Sequence, residues 1–334
     1  MFSGAVEALD VAVIIVNYNA GAYLSRCLEA LDRQTIRGFR TLVVDNASTD
    51  GSADSIETGF PGVTLIRAER NLGFAAGNNR GLAQAGDARW IVLLNPDAFP
   101  APDWLERLLA AAASHPEYSF FGCRMRLAAS PALLDGTADV YHLSGASWRR
   151  DHGAALESGA SMPEEIFGPC AAAALYARAA LDEVGGFDER YFCYHEDVDL
   201  AFRLRLRGHR CLYVPDAMVD HVSSGITGKR SDFATYYGHR NLVWTFVKDM
   251  PGPLFWRYLP LHLLMNVAAI VVCALRGQLG VILRAKLAAL AGLPQAIRQR
   301  RGIQASRSVR PEALRAVMAR GLRPLWSRSN GGGG

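Results

Sequence analysis

None of the six cysteines (Cys27, Cys123, Cys170, Cys193, Cys211, Cys273) stands in a C-x-x-C pair, which leaves neither a zinc site nor a disulfide framework and fits a reducing compartment. The N-terminal Met1-Phe2-Ser3-Gly4 lacks a basic n-region, and the first apolar run, Val11 to Val16, is too short and strand-like for a secretion signal. The catalytic part is therefore expected in the cytosol. Acids are scarce at the far end: from Arg276 onward 12 Lys and Arg face the single acid Glu312, so the tail stands at +11 and the body at −7. Such asymmetry points to an anionic partner for the tail, with membrane phospholipid and nucleic acid the two classes to weigh. With 334 residues, 50% hydrophobic and 20% charged, the chain buries a real core and is not a disordered protein.

What is present begins with Trp90-Ile91-Val92-Leu93-Leu94, a β-rich apolar run stopped by Asn95-Pro96-Asp97. It reads as a central strand reaching its carboxyl edge, where open α/β sheets bind ligands. Asp97 is placed to hold a divalent cation against a diphosphate, or is an ordinary turn former. Val11 to Val16 is a second buried strand, ending in Asn17-Tyr18-Asn19, and a helix follows with Leu24, Leu28 and Leu31 on one face. Thr41 to Val44 ends in Asp45, whose carboxylate can accept from a nucleobase or a ribose hydroxyl; Ser48, Thr49 and Asp50 read as helix caps. After a short strand, Val63 to Ile66, the run Asn71 to Gly81 is neither G-x-G-x-x-G nor a Walker loop. Its small residues at 73, 75, 76 and 77 would let backbone approach a ligand closely, and Asn79 either bonds nucleotide or braces the loop. Alternating strands and helices make residues 10–100 a Rossmann-type half for one nucleotide.

A helix is expected over Asp103 to Ser114, and residues 120–165 carry strand-like pieces without a sharp motif. Gly168 to Leu175, all small side chains but one proline and one leucine, floors a sugar cleft or simply packs tightly. His195-Glu196-Asp197-Val198-Asp199 opens a helix that stops at Gly208. Its acids and the arginines at 203, 205 and 207 complement the helix dipole, yet a dipole does not need this many acids, and a carboxylate there is a reasonable general base. Crowding raises a carboxylate's pKa while the helix N-terminus lowers it. His221 follows a short strand, Cys211 to Val214, and is a packed histidine or a ligand.

The ordered set Val-Asn-Tyr-Asn at 16–19, Asp-Asn-Ala-Ser-Thr-Asp at 45–50, Asn-Leu-Gly-Phe-Ala-Ala-Gly-Asn-Asn at 71–79, Leu-Asn-Pro-Asp at 94–97, Gly-Gly-Phe-Asp-Glu at 185–189 and Glu-Asp-Val-Asp-Leu at 196–200 resembles glycosyltransferase family 2, most of all its rhamnosyltransferase-type members of bacterial polysaccharide assembly. The resemblance implies a GT-A fold: an α/β catalytic domain over 1–225 with a mixed central sheet, divided into a Rossmann-like nucleotide-sugar-binding half (11–100) and an acceptor-binding half (101–225). It also implies an inverting reaction on a nucleotide-diphosphate sugar. Carried over, Tyr18 and Asp45 contact the base, with Asn17, Asn71, Gly73, Asn79 and Asn95 around the nucleotide sugar. Asp97 takes the place of the last D-x-D aspartate and, with His221, holds Mg2+ or Mn2+; Asn95 replaces the first aspartate and removes one carboxylate from the cation. Asp197 matches the catalytic base, with Glu196 beside it. A hexosyl- or N-acetylhexosaminyltransferase using a UDP-sugar, or a non-catalytic nucleotide-sugar-binding partner subunit, are the rival readings.

Behind the catalytic domain, 226–330 reads as a basic helical region and Gly331 to Gly334 as a flexible tail. Between Arg257 and Arg276 lie 18 residues broken only by His262 and Asn266 and containing Pro260, borderline for a span and equally suited to an interfacial or buried helix pair. Leu279 to Leu293 carries Arg284 and Lys286, and a last helix places Leu314, Val317, Met318, Leu322, Leu325 and Trp326 on one face. That face suits a headgroup layer, or packs on the catalytic domain or a second copy. The expectation is a peripheral protein on the cytoplasmic face of the inner membrane that meets anionic lipid and a glycan or lipid-linked acceptor, binds no nucleic acid, and leaves its oligomeric state open.

Overall fold

Val11–Asn17 forms strand β1 with every side chain buried, as an unbroken apolar run demands of a strand covered on both faces. In the computed structural model, which describes residues 10–54, 56–223 and 231–321, helix α1 (Ala22–Asp32) follows and buries the expected Leu24, Leu28 and Leu31. Strand β2 (Arg40–Asp45), a single turn α2 (Ile56–Gly59), β3 (Val63–Arg67), α3 (Gly73–Gln84) and β4 (Trp90–Leu94) complete the first half. β1 lies parallel between β2 and β4, and β3 flanks β2. The chain thus switches direction across the sheet between β1 and β4, the position at which open α/β sheets leave a crevice.

One expectation fails here. Residues 73–84 are helix, and the glycines serve packing: a Cβ on Gly77 would stand 2.7 Å from Val16, and one on Gly81 would stand 2.4 Å from Ile14. Small residues let α3 lie close on β1; among them only Gly73 stands at the sheet's carboxyl edge.

The second half fills the stretch 120–165 that carried no sharp motif. Strand β5 (Ala98–Pro100), helix α4 (Trp104–Ser114), strands β6 (Phe120–Leu127) and β7 (Ser130–Gly136), a hairpin of β8 (Asp139–Tyr141) and β9 (Ser147–Arg149), and strands β10 (Glu164–Ile166) and β11 (Ala173–Ala177) come first. Helices α5 (Arg178–Val184) and α6 (Glu196–Leu206) and strand β12 (Cys211–His221) follow. The main sheet has the order β10-β12-β6-β11-β4-β1-β2-β3, with β5 on β12 and β7 on β6. β11 is antiparallel to both β4 and β6, while β12 is parallel to β6, so β1, β2, β4 and β12 all end at one edge. β12 is longer than expected: it passes Pro215 through a bulge between Val214 and Met218, which spares the ladder the missing proline N–H.

Helices α7 (Asp232–Asp249), α8 (Gly252–Leu275), α9 (Leu279–Ala305) and α10 (Pro311–Val317) close the chain. The boundary expected near residue 225 falls outside the described residues. α7 packs on α6, and its Lys248 forms ion pairs with Asp188 and with Asp199 of α6. The final amphipathic face is corrected: Leu314 and Met318 are buried in the catalytic core beside Tyr141, and Ala319 bonds the β8–β9 hairpin. Leu322, Leu325 and Trp326 lie outside the described residues. α8 and α9, by contrast, keep Trp256, Leu263, Leu264, Val267, Leu275, Leu283, Leu287 and Leu290 exposed.

Candidate active site

β5 runs antiparallel to β12 in a register that sets Ala98 opposite His221, and the amide of Val222 donates to the carbonyl of Asp97 at 3.0 Å. That pairing brings two residues 124 positions apart together: His221 Nε2 lies 3.3 Å from Asp97 Oδ1, both side chains buried. The other ring nitrogen, Nδ1, meets Asp135 Oδ2 at 2.8 Å. Asp135, on β7, also pairs with Arg149 of β9 and lies 3.3 Å from His152. Burial opposes its charge, but the bonds from His152 and His221 and the Arg149 guanidinium hold its carboxyl well below the usual range. For His221 burial likewise opposes the charge, and the bonds to Asp135 and Asp97 raise its pKa nonetheless.

This donor set fits a divalent cation: a carboxylate oxygen, an imidazole nitrogen, and a second carboxylate that fixes the imidazole from behind. A second trio, Asp139, Cys170 and Asp197, also offers ligand atoms within 4.8 Å of one another. It is the poorer place for a metal, because Arg149 Nη2 donates to Cys170 Sγ at 2.9 Å and burial pushes that thiol well up. Arg149 therefore touches the Asp135 arm on one side and the Asp139–Cys170–Asp197 group on the other. Asp135, Asp139 and Arg149 were not identifiable from sequence: they lie in the motif-poor 120–165 stretch, and only strand registers assemble them.

Asn17 and Asp45 are opposite in register at the ends of β1 and β2. Asn17, fully buried, donates through Nδ2 to Asp45 Oδ1 at 3.0 Å and to the hydroxyls of Ser48 and Ser52 at 3.0 and 2.9 Å. It holds Asp45 in place. Ser48 and Asp50 do not cap a helix: Ser48 Oγ accepts from the Asn19 amide, and Asp50 accepts from Gly21 at 2.7 Å, so the two loops at the strand ends are tied together. Tyr18 projects from this edge, 40% exposed. Asn71 Oδ1 accepts from the Gly73 amide, and Asn95, half-buried, follows β4 directly. Asn79 turns away: its amide donates to Phe187 O and Glu189 and accepts from Phe187 N, which makes it the brace of the Gly185-Gly186-Phe187 turn.

The three acids of α6 separate by environment. Asp199 is fully buried in ion pairs with Arg203 and Lys248. Glu196 is buried, and burial first, then the neighbouring Asp197, pushes its carboxyl well above the usual range; desolvation, with crowding behind it, prevails over the helix dipole there. Asp197 alone is part-exposed, with Oδ1 accepting from Val198 N at 2.8 Å and Oδ2 3.5 Å from the Ala171 amide. The alanines that follow are strand, Ala173 opposite Leu94 of β4 and Ala174 fully buried, so packing accounts for them.

Residues 12–185 match the model of the family described as Glycosyl transferase family 2. The N-acetylglucosaminyl-diphospho-decaprenol L-rhamnosyltransferase of Mycobacterium tuberculosis is 33% identical over 270 residues, 73% of this chain and 86% of that protein. The same organism's pre-mycofactocin glycosyltransferase is 32% identical over 64% of this chain and 42% of its own. Among solved structures, a mannosyltransferase from Pyrobaculum calidifontis in complex with GDP-Man and Mn2+ has a TM-score of 0.54 at 20% identity, over 96% of this chain and 88% of that one. GalNAc-T7 with UDP, GalNAc and Mn2+ has a TM-score of 0.59 at 16% identity, over 72% and 48%. These two share the GT-A fold with the chain. Sequence match and fold agree, and the chain belongs to glycosyltransferase family 2.

Proposed function

We propose that the chain is an inverting glycosyltransferase that moves L-rhamnose from dTDP-rhamnose to a hydroxyl of a glycan or lipid-linked glycan acceptor in cell-surface polysaccharide assembly. Glycosyl transfer itself follows from the family. The rhamnosyl donor and the diphospho-lipid acceptor are brought over from the relative's name, and the inverting course from the family resemblance. The observation that carries the reading is one continuous set of contacts, from Asp97 through His221, Asp135, Arg149 and Cys170 to the Asp139–Asp197 pair. It ties a cation site to a candidate base at one edge of the sheet.

Tyr18 and Asp45 hold the nucleobase and ribose, with Asn17 bracing Asp45, and Asn71, Gly73 and Asn95 shape the wall beside the sugar diphosphate. Asp97 and His221 would hold Mg2+ or Mn2+, and a cation bound there would neutralise charge on the leaving diphosphate. Asp197 takes the proton of the acceptor hydroxyl. The freed oxygen forms its bond to the anomeric carbon from the face opposite the diphosphate, the bond to the diphosphate oxygen breaks, and configuration inverts in one displacement. Burial and the neighbouring Asp197 raise the pKa of Glu196, which disfavours a second negative charge beside the base. The exposed apolar faces of α8 and α9 and the basic tail suit attachment to the cytoplasmic face of the inner membrane, where a lipid-linked acceptor is met.

The test is nucleoside-diphosphate release from a panel of dTDP-, UDP- and GDP-sugars with Mn2+ or Mg2+, then with EDTA. Release from dTDP-rhamnose that EDTA abolishes is expected. Preferential turnover of a UDP-sugar would replace the donor assignment. Asp197→Asn should remove turnover by at least about 100-fold while donor affinity stays nearly intact; loss of binding in its place would remove Asp197 from the role of base.

A further inference from the structure

Phe192 has φ 64° and ψ −63°, and the amide of Cys193 donates to the carbonyl of Tyr191 at 2.7 Å. Residues 191–193 thus form a γ-turn of the rare positive-φ kind. Tyr194 and His195 follow, each at φ 67°. Three of four consecutive side-chain-bearing residues therefore occupy strained backbone that persists only where its surroundings over-determine it. The next residue is Glu196, the first of α6.

Two elements hold this turn. From the nucleotide half, the amides of Phe74 and Ala75 donate to the Phe192 carbonyl at 2.6 and 3.3 Å. Gly73, at φ 81°, permits that approach, since a Cβ there would stand 2.5 Å from the Phe192 ring and 2.6 Å from its carbonyl oxygen. From the other side comes α7. Asn241, fully buried, directs Nδ2 at the carbonyls of Tyr191, Cys193 and Tyr194, at 2.9, 2.9 and 2.7 Å. Arg240 Nε fixes the Asn241 carboxamide oxygen at 2.8 Å, and its Nη2 reaches the carbonyls of Arg190 and Tyr191.

We propose that Asn241 is a positioning residue for the transfer reaction: its carboxamide holds the strained turn that aims Asp197 at the acceptor hydroxyl, which makes the first C-terminal helix part of the catalytic apparatus. The role rests on Asp197 being the base. It lies in a region the family match, ending at residue 185, does not reach. A base displaced by about 1 Å loses on the order of 100-fold in rate.

The test compares full-length Asn241→Ala, Asn241→Asp, Arg240→Met and Asp197→Asn in donor-saturation kinetics with acceptor present, with melting temperatures to confirm folding. Asn241→Ala should lower kcat about 10- to 100-fold with donor KM within about twofold. Asn241→Asp, equal in size but without an amide donor, should be as slow, because the bonds and not the volume matter. Arg240→Met, at a side chain less buried than Asn241, should give a smaller drop in the same sense, and it carries the test should the buried variants fail to fold. An unchanged kcat in the folded variants, or a rise in donor KM with kcat retained, overturns the role of Asn241. Turnover retained in Asp197→Asn would overturn the base assignment and the role of Asn241 with it, whereas its loss there beside unchanged Asn241 variants overturns Asn241 alone.

Discussion

Asp135 shows how a residue without a motif comes to matter. It acts through His221: its bond to Nδ1 leaves Nε2 facing Asp97. Residues that orient a metal-binding histidine change affinity by about 10- to 100-fold when replaced. Asp135→Asn should raise the Mn2+ concentration for half-maximal turnover by about that factor, with the rate at saturating metal largely restored; a metal titration of initial rates reads it. Two histidines nearby set a pH dependence. Burial lowers His195 to about 3 and His239 to about 4, with Lys286 close to both. The unfolded chain binds protons at these positions near the ordinary value of about 6.5 while the folded chain does not, so their contribution to stability rises with pH between about 4 and 6.5 and is lost on acidification through that window. Thermal melts at pH 7 and pH 5 should show the fall, and His239→Gln should flatten it.

At the level of elements, legibility followed burial pattern. β1 and β4 were readable because a strand covered on both faces is written as an unbroken apolar run, and the helix bearing Leu24, Leu28 and Leu31 because its buried positions repeat with the helical period. α3 was not, since glycines that normally mark loops here remove side chains where helix meets sheet. Gly81→Val separates these meanings. A loop glycine would tolerate the change within about 0.5 kcal/mol, whereas a Cβ 2.4 Å from the buried Ile14 predicts a loss of about 3 kcal/mol by overpacking, measured by urea denaturation. Within the candidate site, Asp97 and Asp197 were legible from standing at a strand end and a helix start, and His221 from the family resemblance. Asp135, Asp139 and Arg149 were not, because the short strands that carry them have mixed burial, and their meeting depends on hairpin registers that no local pattern encodes.

For the whole molecule the question is what the apolar faces of α8 and α9 meet. α8 buries only Leu254, His262 and Cys273 of its 24 residues, and Trp256, Leu264 and Leu275 are 71%, 65% and 85% exposed. Both helices are long and apolar enough to cross a bilayer by length and composition, but Arg284 lies within the second, and α9 packs along α7 on the catalytic domain. Lying along the surface keeps those contacts and still buries the leucines. Each half-exposed leucine transferred into the acyl boundary contributes about 1 kcal/mol, and each arginine near an anionic surface about the same. Several of each amount to firm attachment, and the two contributions respond to different changes. Flotation with vesicles containing anionic lipid should carry the protein up, and vesicles of neutral lipid should carry much less. Leu264→Glu combined with Leu287→Glu should abolish binding to both kinds while leaving turnover of a soluble, short-chain acceptor analogue near its starting value. Binding that survives this double change would show that these faces are not what meets the membrane, and binding indifferent to lipid charge would remove the arginines from that role.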